Sequence, residues 1–397
     1  MNTLPTTHKK FTPIESKNPK IVVLGLGGGG SNAVNRMIEN GLTGVTFAAA
    51  NTDAQTLMTN LAPIKIQLGP KTTRGLGAGG LPTVGEASAE ESYRELASIL
   101  EGSDMVFLAA GMGGGTGTGS IPVVAKVAKA VGAVTVAVVT TPFSFELGRR
   151  QKNAEDGLRK LRQYTDTLIV IPNDRLLEIA PNDLPLEMAF TLADDVLRQG
   201  VQGIAELITE TGIINVDFAH IKRIMQFGGG SLMAIGSSEG PDKVTDALQK
   251  ALHHPLLDET NLSSATGIIA NFRGGSNLTF REVAEALQLL QDQSDNHAEI
   301  IPGVINDPNM GDRLEIILIV TGIGGIKLED ALENLNSSEH WETDNNQLKS
   351  YQEVEQGLFT PNPYKAETNP NQYHPQLNFS SNLDIPAFMR KRLVQGR

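Results

Sequence analysis

From Lys20 onward, short β-branched apolar runs alternate with longer segments in which apolar residues recur every three or four positions. The series opens with IVVLGLG, continues through a helix-like SNAVNRMIEN and GVTFAAAN, and runs on through DMVFLAAG, GAVTVAVVT and TLIVIPN. Nearly continuous apolar strands separated by amphipathic stretches predict a parallel sheet covered on both faces, a doubly wound, Rossmann-like α/β domain over residues 20–182. In the next segment, 183–212, Ala193, Val196, Leu197, Val201, Ile204 and Leu207 fall on one stripe at helical spacing, which predicts a long connecting helix. Strand-like SLMAIGSS, ATGIIANF, HAEIIPGVI and RLEIILIVTGI, interleaved with helix-like DKVTDALQKAL and FREVAEALQLL, predict a second, smaller α/β domain over 213–327.

The pattern lapses at both ends. Residues 1–19 carry basic residues with no apolar stretch behind them, so they read as a flexible tail and not as a signal peptide. Residues 328–383 turn to Asn, Gln, Ser, Thr, Glu and Pro without apolar periodicity, the composition of a disordered linker. In the last stretch, 384–397, Ile385, Ala387, Phe388 and Met389 interrupt a polar tail, which suits either a docking peptide or a frayed end. The longest apolar runs, such as 314–320, fall far short of the roughly 20 residues a membrane helix needs, so no direct span is expected.

Charge and composition narrow the chemistry. Against 33 Lys and Arg stand 45 Asp and Glu, a formal net charge of -12, so nucleic acid is not an expected partner and a phosphate ligand must be held by local geometry. The absence of cysteine excludes disulfides and thiol catalysis and is compatible with a reducing cytosol. No HExxH spacing appears among the seven histidines.

Two glycine loops carry the candidate chemistry. Gly25, Gly27 and Gly30 fit GxGxxG between a strand and a helix, where bare backbone and a helix N-terminus can meet a phosphate. By itself this loop leaves open a Rossmann NAD enzyme, with Asp53 as the ribose acid, or merely a tight turn. The second loop, GMGGGTGTG at 111–119, separates these alternatives. Its glycines and two threonines offer successive N–H groups and hydroxyls to phosphate oxygens, which neither a dehydrogenase nor a plain turn requires. No GxxxxGK[ST] occurs, so it is not a Walker A loop.

GMGGGTGTG resembles the tubulin-superfamily signature. Together with GLGGGGSNAVNRMI, NTDAQTL, GLGAG, PFSFE, IPNDRLL, DDVLRQGVQGIAELIT and NVDFA, it makes residues 20–325 similar to the bacterial division protein family FtsZ. The resemblance implies a GTPase that assembles head to tail into filaments at the division site in the cytoplasm, with GTP/GDP and Mg2+ as its ligands. It assigns Gly28, Gly29 and Asn32 to the first phosphate loop, and Asn51 and Asp53 to the phosphate and Mg2+ side. Ala78 and Gly79 would approach the γ-phosphate, and Gly113, Gly114, Gly115, Thr116 and Gly117 would hold the α- and β-phosphates. Glu146 and Arg150 would reach the ribose, Asn173 and Asp195 would read the guanine edge, and Phe190 would stack on the base. DIPAFMRKR resembles the family's docking peptide for membrane-tethering division proteins, with Ile385, Pro386 and Phe388 as anchors beside the basic Arg390, Lys391 and Arg392.

The family hydrolyses GTP between subunits, through a loop that follows the central helix. Here that loop carries Asn215 and Asp217, but where the pattern NxDFAD has a second aspartate this chain has His220. Two carboxylates would polarise water and attract cations strongly, whereas a neutral imidazole brings one acceptor and no charge. The expectation is a site of Asn215, Asp217 and His220 with slower turnover; the alternative is a GTP-binding filament subunit of low activity that scaffolds a more active paralogue. Leu81 also replaces an asparagine common in the family, and Ser31 replaces a glycine, adding a hydroxyl that could meet phosphate.

Overall fold

The computed structural model describes residues 18–323 apart from 147, 182, 211 and 258–261. The expected linker, the docking peptide with Ile385, Pro386 and Phe388, and residues 1–17 of the expected tail lie outside the described residues.

The first six strands and their helices run β1 (Ile21–Leu26), α1 (Gly27–Glu39), β2 (Thr46–Asn51), α2 (Ala54–Thr59), β3 (Ile64–Gln67), α3 (Pro82–Glu91), α4 (Tyr93–Leu100), β4 (Met105–Gly111), α5 (Thr116–Ala130), β5 (Val134–Thr141), α6 (Arg149–Leu161), β6 (Thr167–Pro172) and α7 (Asn173–Leu177). All six strands pair in parallel in the order β3-β2-β1-β4-β5-β6. Chain order therefore reverses between β1 and β4, and a crevice opens beyond the carboxyl ends of these two strands. β1 and most of β4 are buried, which is why their sequences read as unbroken apolar runs. One core packs under α1, with Val34 and Met37 against Phe47 and Phe107; another packs under α3 to α6, with Leu96, Ile121 and Leu161 against Leu24 and Leu108.

The predicted connecting helix is α8 (Leu186–Thr209). It is followed by α9 (Phe218–Met225), β7 (Gly230–Glu239), α10 (Lys243–Leu252), β8 (Gly267–Gly274), α11 (Phe280–Gln293), β9 (Glu299–Asn306) and β10 (Arg313–Ile323). The second α/β region does not stand apart from the first. β7 meets β6 at Ile169 and Ser231, so a ten-stranded order continues through β7-β10-β8-β9. Within it β10 is antiparallel to both β7 and β8, and β8 is parallel to β9. α11 starts at a capping box in which Thr279 and Glu282 exchange side-chain-to-backbone bonds.

α8 packs on both regions. Gly200 lies against Val138 and Met233, and Gly203 against Ile317, so small residues let the helix axis approach the sheet closely. Its expected stripe is buried at Ala193, Val196, Leu197, Val201, Ile204 and Leu207. A polar row runs beside that stripe: Asp195 accepts from Arg198 at 2.7 Å, Arg198 donates to Gln202 at 2.6 Å, and Gln202 donates to Glu206. Glu206, only 3% exposed, accepts from Arg273 of β8 at 3.0 Å, and Arg273 also donates to Asp307 at 2.8 Å. Burial pushes the Glu206 carboxyl above the usual range, opposed by the hydrogen bond from Gln202 and the Arg273 charge.

Glu206→Ala leaves the buried Gln202 amide without its acceptor, while Arg273 keeps Asp307, so the variant is expected to lower unfolding free energy by about 1–2 kcal/mol. Glu206→Gln, which keeps a hydrogen-bonding side chain, is expected to lose less than half of that. Urea midpoints of the two variants check the ordering.

Candidate nucleotide site

At the switch point the two glycine loops lie against each other. Gly27, at φ 68°, opens α1, and a Cβ there would sit 2.7 Å from the Gly117 nitrogen. No side chain fits between the loops, and a left-handed φ adds a second reason for glycine. A Cβ on Gly30 would overlap the Ala109 carbonyl, which fixes how closely α1 lies on β4. α1 and α5 thus present their unsatisfied first-turn N–H groups to one crevice, a pair of helix N-termini suited to an anion. Gly28 and Gly114 have open space in front of them, as backbone facing a ligand requires.

The second loop is internally braced. The Gly113 N–H donates to Thr118 Oγ1 at 2.7 Å, so among the loop glycines Gly113 supplies shape and not a free donor. Thr116 and Thr52 share a hydrogen bond of 2.6 Å between their hydroxyls, tying this loop to the end of β2. Asn51 is buried and accepts from the Asp53 N–H, while one Asp53 oxygen caps α2 by accepting from Gln55 and Thr56. Ala78 is buried against Gly115, and Gly79 is exposed at φ 58° beside it. Asn51 and Asp53, beside the Thr116 hydroxyl that Thr52 holds, offer oxygen donors with one negative charge. Such a set fits Mg2+ that arrives with phosphates and keeps waters.

Of the expected base and ribose residues, Arg150 lies against Gly113 of the second glycine loop. Glu146 accepts from the Phe143 N–H at 2.8 Å and pairs with Arg150 one helical turn later. Asn173 is 5% exposed at the start of α7, and its Oδ1 is buried without a partner. Phe190 meets Phe143 edge to face at 5.5 Å and Phe145 at 6.3 Å, an aromatic cluster buried at Phe143 and half-exposed at Phe145 and Phe190, of which the sequence pointed only to Phe190.

Asp195 is not brought to the crevice. Its carboxylate is held along α8 by Arg198 and Gln199. Asp194 faces the crevice instead, accepting from Asn32 at 3.2 Å, and lines a cavity of about 440 Å3 with Asn32, Arg36, Phe190 and Thr191. The reason is helical periodicity: Phe190 and Asp194 are four apart on one face, and Asp195 is rotated by a further residue. Ser31 is 1% exposed with its hydroxyl buried and unpartnered, so it does not meet a ligand in the crevice. Leu81 is the N-cap of α3 and offers its helix no side-chain acceptor, a place where asparagine would serve.

The remaining expected residues lie elsewhere. Beyond α8 the chain docks on β9, with the Ile213 N–H donating to the Val304 carbonyl at 2.8 Å. Asn215 accepts from the Gly212 N–H at 2.7 Å, and Asp217 caps α9 by accepting from Ala219 at 3.0 Å. His220 stands exposed one turn later. α8 separates this loop from Asp194: from Asp194 to Thr209 the helix rises about 22 Å.

Two family models match the chain. The Tubulin/FtsZ family GTPase domain covers residues 20–181, and the FtsZ family C-terminal domain covers 229–324. An empty FtsZ dimer from M. jannaschii is 46% identical, with a TM-score of 0.75 over 78% of this chain and 90% of that one. The chain belongs to the FtsZ family. A point mutant of M. jannaschii FtsZ, with one tryptophan replaced by tyrosine, is likewise 46% identical, with a TM-score of 0.75 over 77% of this chain and 92% of that one. CetZ2 of Haloferax volcanii, a GTPγS-bound protofilament, is 20% identical with a TM-score of 0.65 over 81% of this chain and 99% of that one, and supports the fold alone. The GTPase domain implies GTP/GDP binding, and FtsZ-like proteins self-assemble into protofilaments. Among the described residues, no helix is long and apolar enough to cross a membrane.

The crevice carries a charge effect of its own. Burial raises the Asp194 carboxyl to about 6, against the Asn32 hydrogen bond and the Arg36 charge. A pKa raised on folding gives stability that is complete at low pH and lost as pH rises through the folded value. In nucleotide-free protein, Asp194→Asn is therefore expected to raise stability by about 1–2 kcal/mol near pH 7.5, the gain disappearing near pH 4. Urea midpoints across that range check the sign.

Proposed function

We propose that this chain is a GTP-dependent, head-to-tail filament protein of the division site that hydrolyses GTP only where two copies meet. The separation along α8 carries the proposal: Asp194 at the crevice lies about 22 Å along the helix from the end that leads into the loop with Asp217, so no copy reaches its own nucleotide with its own loop. A contact that repeats without closing brings the loop of one copy over the crevice of the next.

In this reading α1, through Gly28, Gly29 and Asn32, and α5, through Gly114, Gly115, Thr116 and Gly117, hold the phosphates. Gly113 shapes the loop, and Ala78 and Gly79 flank the γ-phosphate. Asn51 and Asp53 hold Mg2+ with Thr52 and Thr116 nearby; when bound, the ion neutralises charge on the phosphates. Glu146 and Arg150 take the ribose, and Phe190 packs on the base. Asn173 and Asp194, more than Asp195, read the guanine edge, since an ionised carboxylate accepts from N1–H and N2–H together.

From the neighbouring copy, Asn215 and Asp217 orient the attacking water. Each already spends one oxygen on its own loop, which fixes its position before assembly. His220 supplies no negative charge at this point and slows the step. Attachment to membrane-tethering division proteins through Ile385, Pro386 and Phe388 completes the proposed role in the cytoplasm.

Sedimentation with GTP, GDP and a slowly hydrolysed analogue, with phosphate release measured on the same samples, tests this. Pelleting is expected with GTP and the analogue but not with GDP, and phosphate release only where polymer forms. Release that persists at protein concentrations without polymer overturns interface hydrolysis. His220→Asp is expected to raise turnover per polymerised subunit by about tenfold, a small part of what a positioned acid–base group contributes. An unchanged rate removes the role given to His220.

A further inference from the structure

We propose that Asn153, on α6, is a positioning residue that clasps the two loops on either side of the terminal phosphate and so sets discrimination between GTP and GDP. This rests on the placement of Ala78 and Gly79 beside the γ-phosphate given above.

The loop from β3 to α3 is tied down along most of its length. Near its start Glu91 accepts from the Lys71 N–H at 2.9 Å, the Thr72 N–H at 3.0 Å and the Thr72 hydroxyl at 2.7 Å. Its middle is held to β2, where the Thr73 hydroxyl and the Gly77 N–H both donate to the Thr52 carbonyl. The tip has less. Ala78 packs on Gly115, the Ala78 carbonyl accepts from Leu81 within the loop, and both Gly79 and Gly80 are at positive φ. Among the described residues, the polar contact that links this tip to another element is Asn153, whose Nδ2 donates to the Gly80 carbonyl at 3.4 Å.

The same Nδ2 donates to the Gly113 carbonyl at 3.1 Å. Gly113 is thereby held on both sides, its N–H by Thr118 and its C=O by Asn153, at a φ of 101° that suits only glycine. One amide group thus joins the loop under the α- and β-phosphates to the loop beside the γ-phosphate. α6 is a firm base for it, because Ala154 is buried and Gly157 packs against Thr118 and Met112. Arg150, one turn earlier on α6, pairs with Glu146 near the ribose. Behind the clasp lies a cavity of about 430 Å3, lined by Pro82, Thr83, Thr118 and Asn153 among others, which leaves the side chain room to swing clear.

A diphosphate needs only the lower loop. A triphosphate needs both in register, and a flexible tip that must be ordered on binding weakens the complex. Asn153 therefore acts through Gly80 and Gly113 and selectively favours the ligand that uses both.

The test measures affinities of full-length protein for GTP and GDP separately, at concentrations below assembly, with wild type, Asn153→Leu and Asn153→Gln. Asn153→Leu keeps the volume and removes the donor. It is expected to weaken GTP about fivefold, the worth of one net hydrogen bond, and to leave GDP within about twofold. Asn153→Gln, which retains an amide donor, is expected to recover at least part of the GTP affinity. Equal losses for both nucleotides, or an unchanged ratio in Asn153→Leu, overturn the role of Asn153 while leaving the GTP site standing. A wild-type protein that binds neither nucleotide overturns the site and this inference together.

Discussion

No side chain fits between Gly27 and Gly117, and the rest of the molecule is arranged around that contact. It forces the first turns of α1 and α5 together where the order of the parallel strands reverses, so two sets of unsatisfied N–H groups converge on a single anion site. Everything else in the crevice is braced against these loops: Thr52 on Thr116, Ala78 on Gly115 and Asn153 on Gly113. An acidic chain with no Walker lysine can hold a triphosphate this way because backbone dipoles, not net charge, supply the positive field.

In the proposed mechanism α8 converts that local site into a polymer property. It carries Phe190 and Asp194 at the nucleotide end, a buried apolar stripe through its middle, and the loop with Asn215, Asp217 and His220 beyond its far end. Its polar side runs from Asp195 through Arg198, Gln202 and Glu206 to Arg273 and Asp307. The helix is thus bound to the second region by an ionic link as well as by packing. Raised carboxyl pKa values at Asp194 and Glu206 mark where burial of charge works against stability. At Asp194, in the proposed site, stability is given up to keep a carboxylate where a base would bind.

Much of this was legible in the sequence. Unbroken apolar runs marked the parallel strands, the stripe from Ala193 to Leu207 marked α8, and the glycine loops marked the crevice. What escaped did so for identifiable reasons. Asp194 and Asp195 are adjacent identical residues, and only the helical phase set by Phe190 separates them. Asn153 and Glu91 are ordinary polar residues on helices whose partners are backbone atoms at least 19 positions away in sequence, so no local pattern reports them. The strand pairing that continues the first sheet into the second is a single register at Ile169 and Ser231, which no periodicity encodes.

The central claim is that the crevice and the hydrolytic loop act in different copies. Mixing two inactive variants tests it most directly. One is Asp217→Asn, with an intact crevice and a disabled loop; the other is Gly114→Glu, whose carboxylate projects into the open space before Gly114 and blocks the crevice while leaving the loop intact. Each alone should release little phosphate from GTP, and the mixture should recover turnover because intact loops then sit over intact crevices. A mixture no more active than the sum of its parts, with both variants folded and co-sedimenting, would contradict the account.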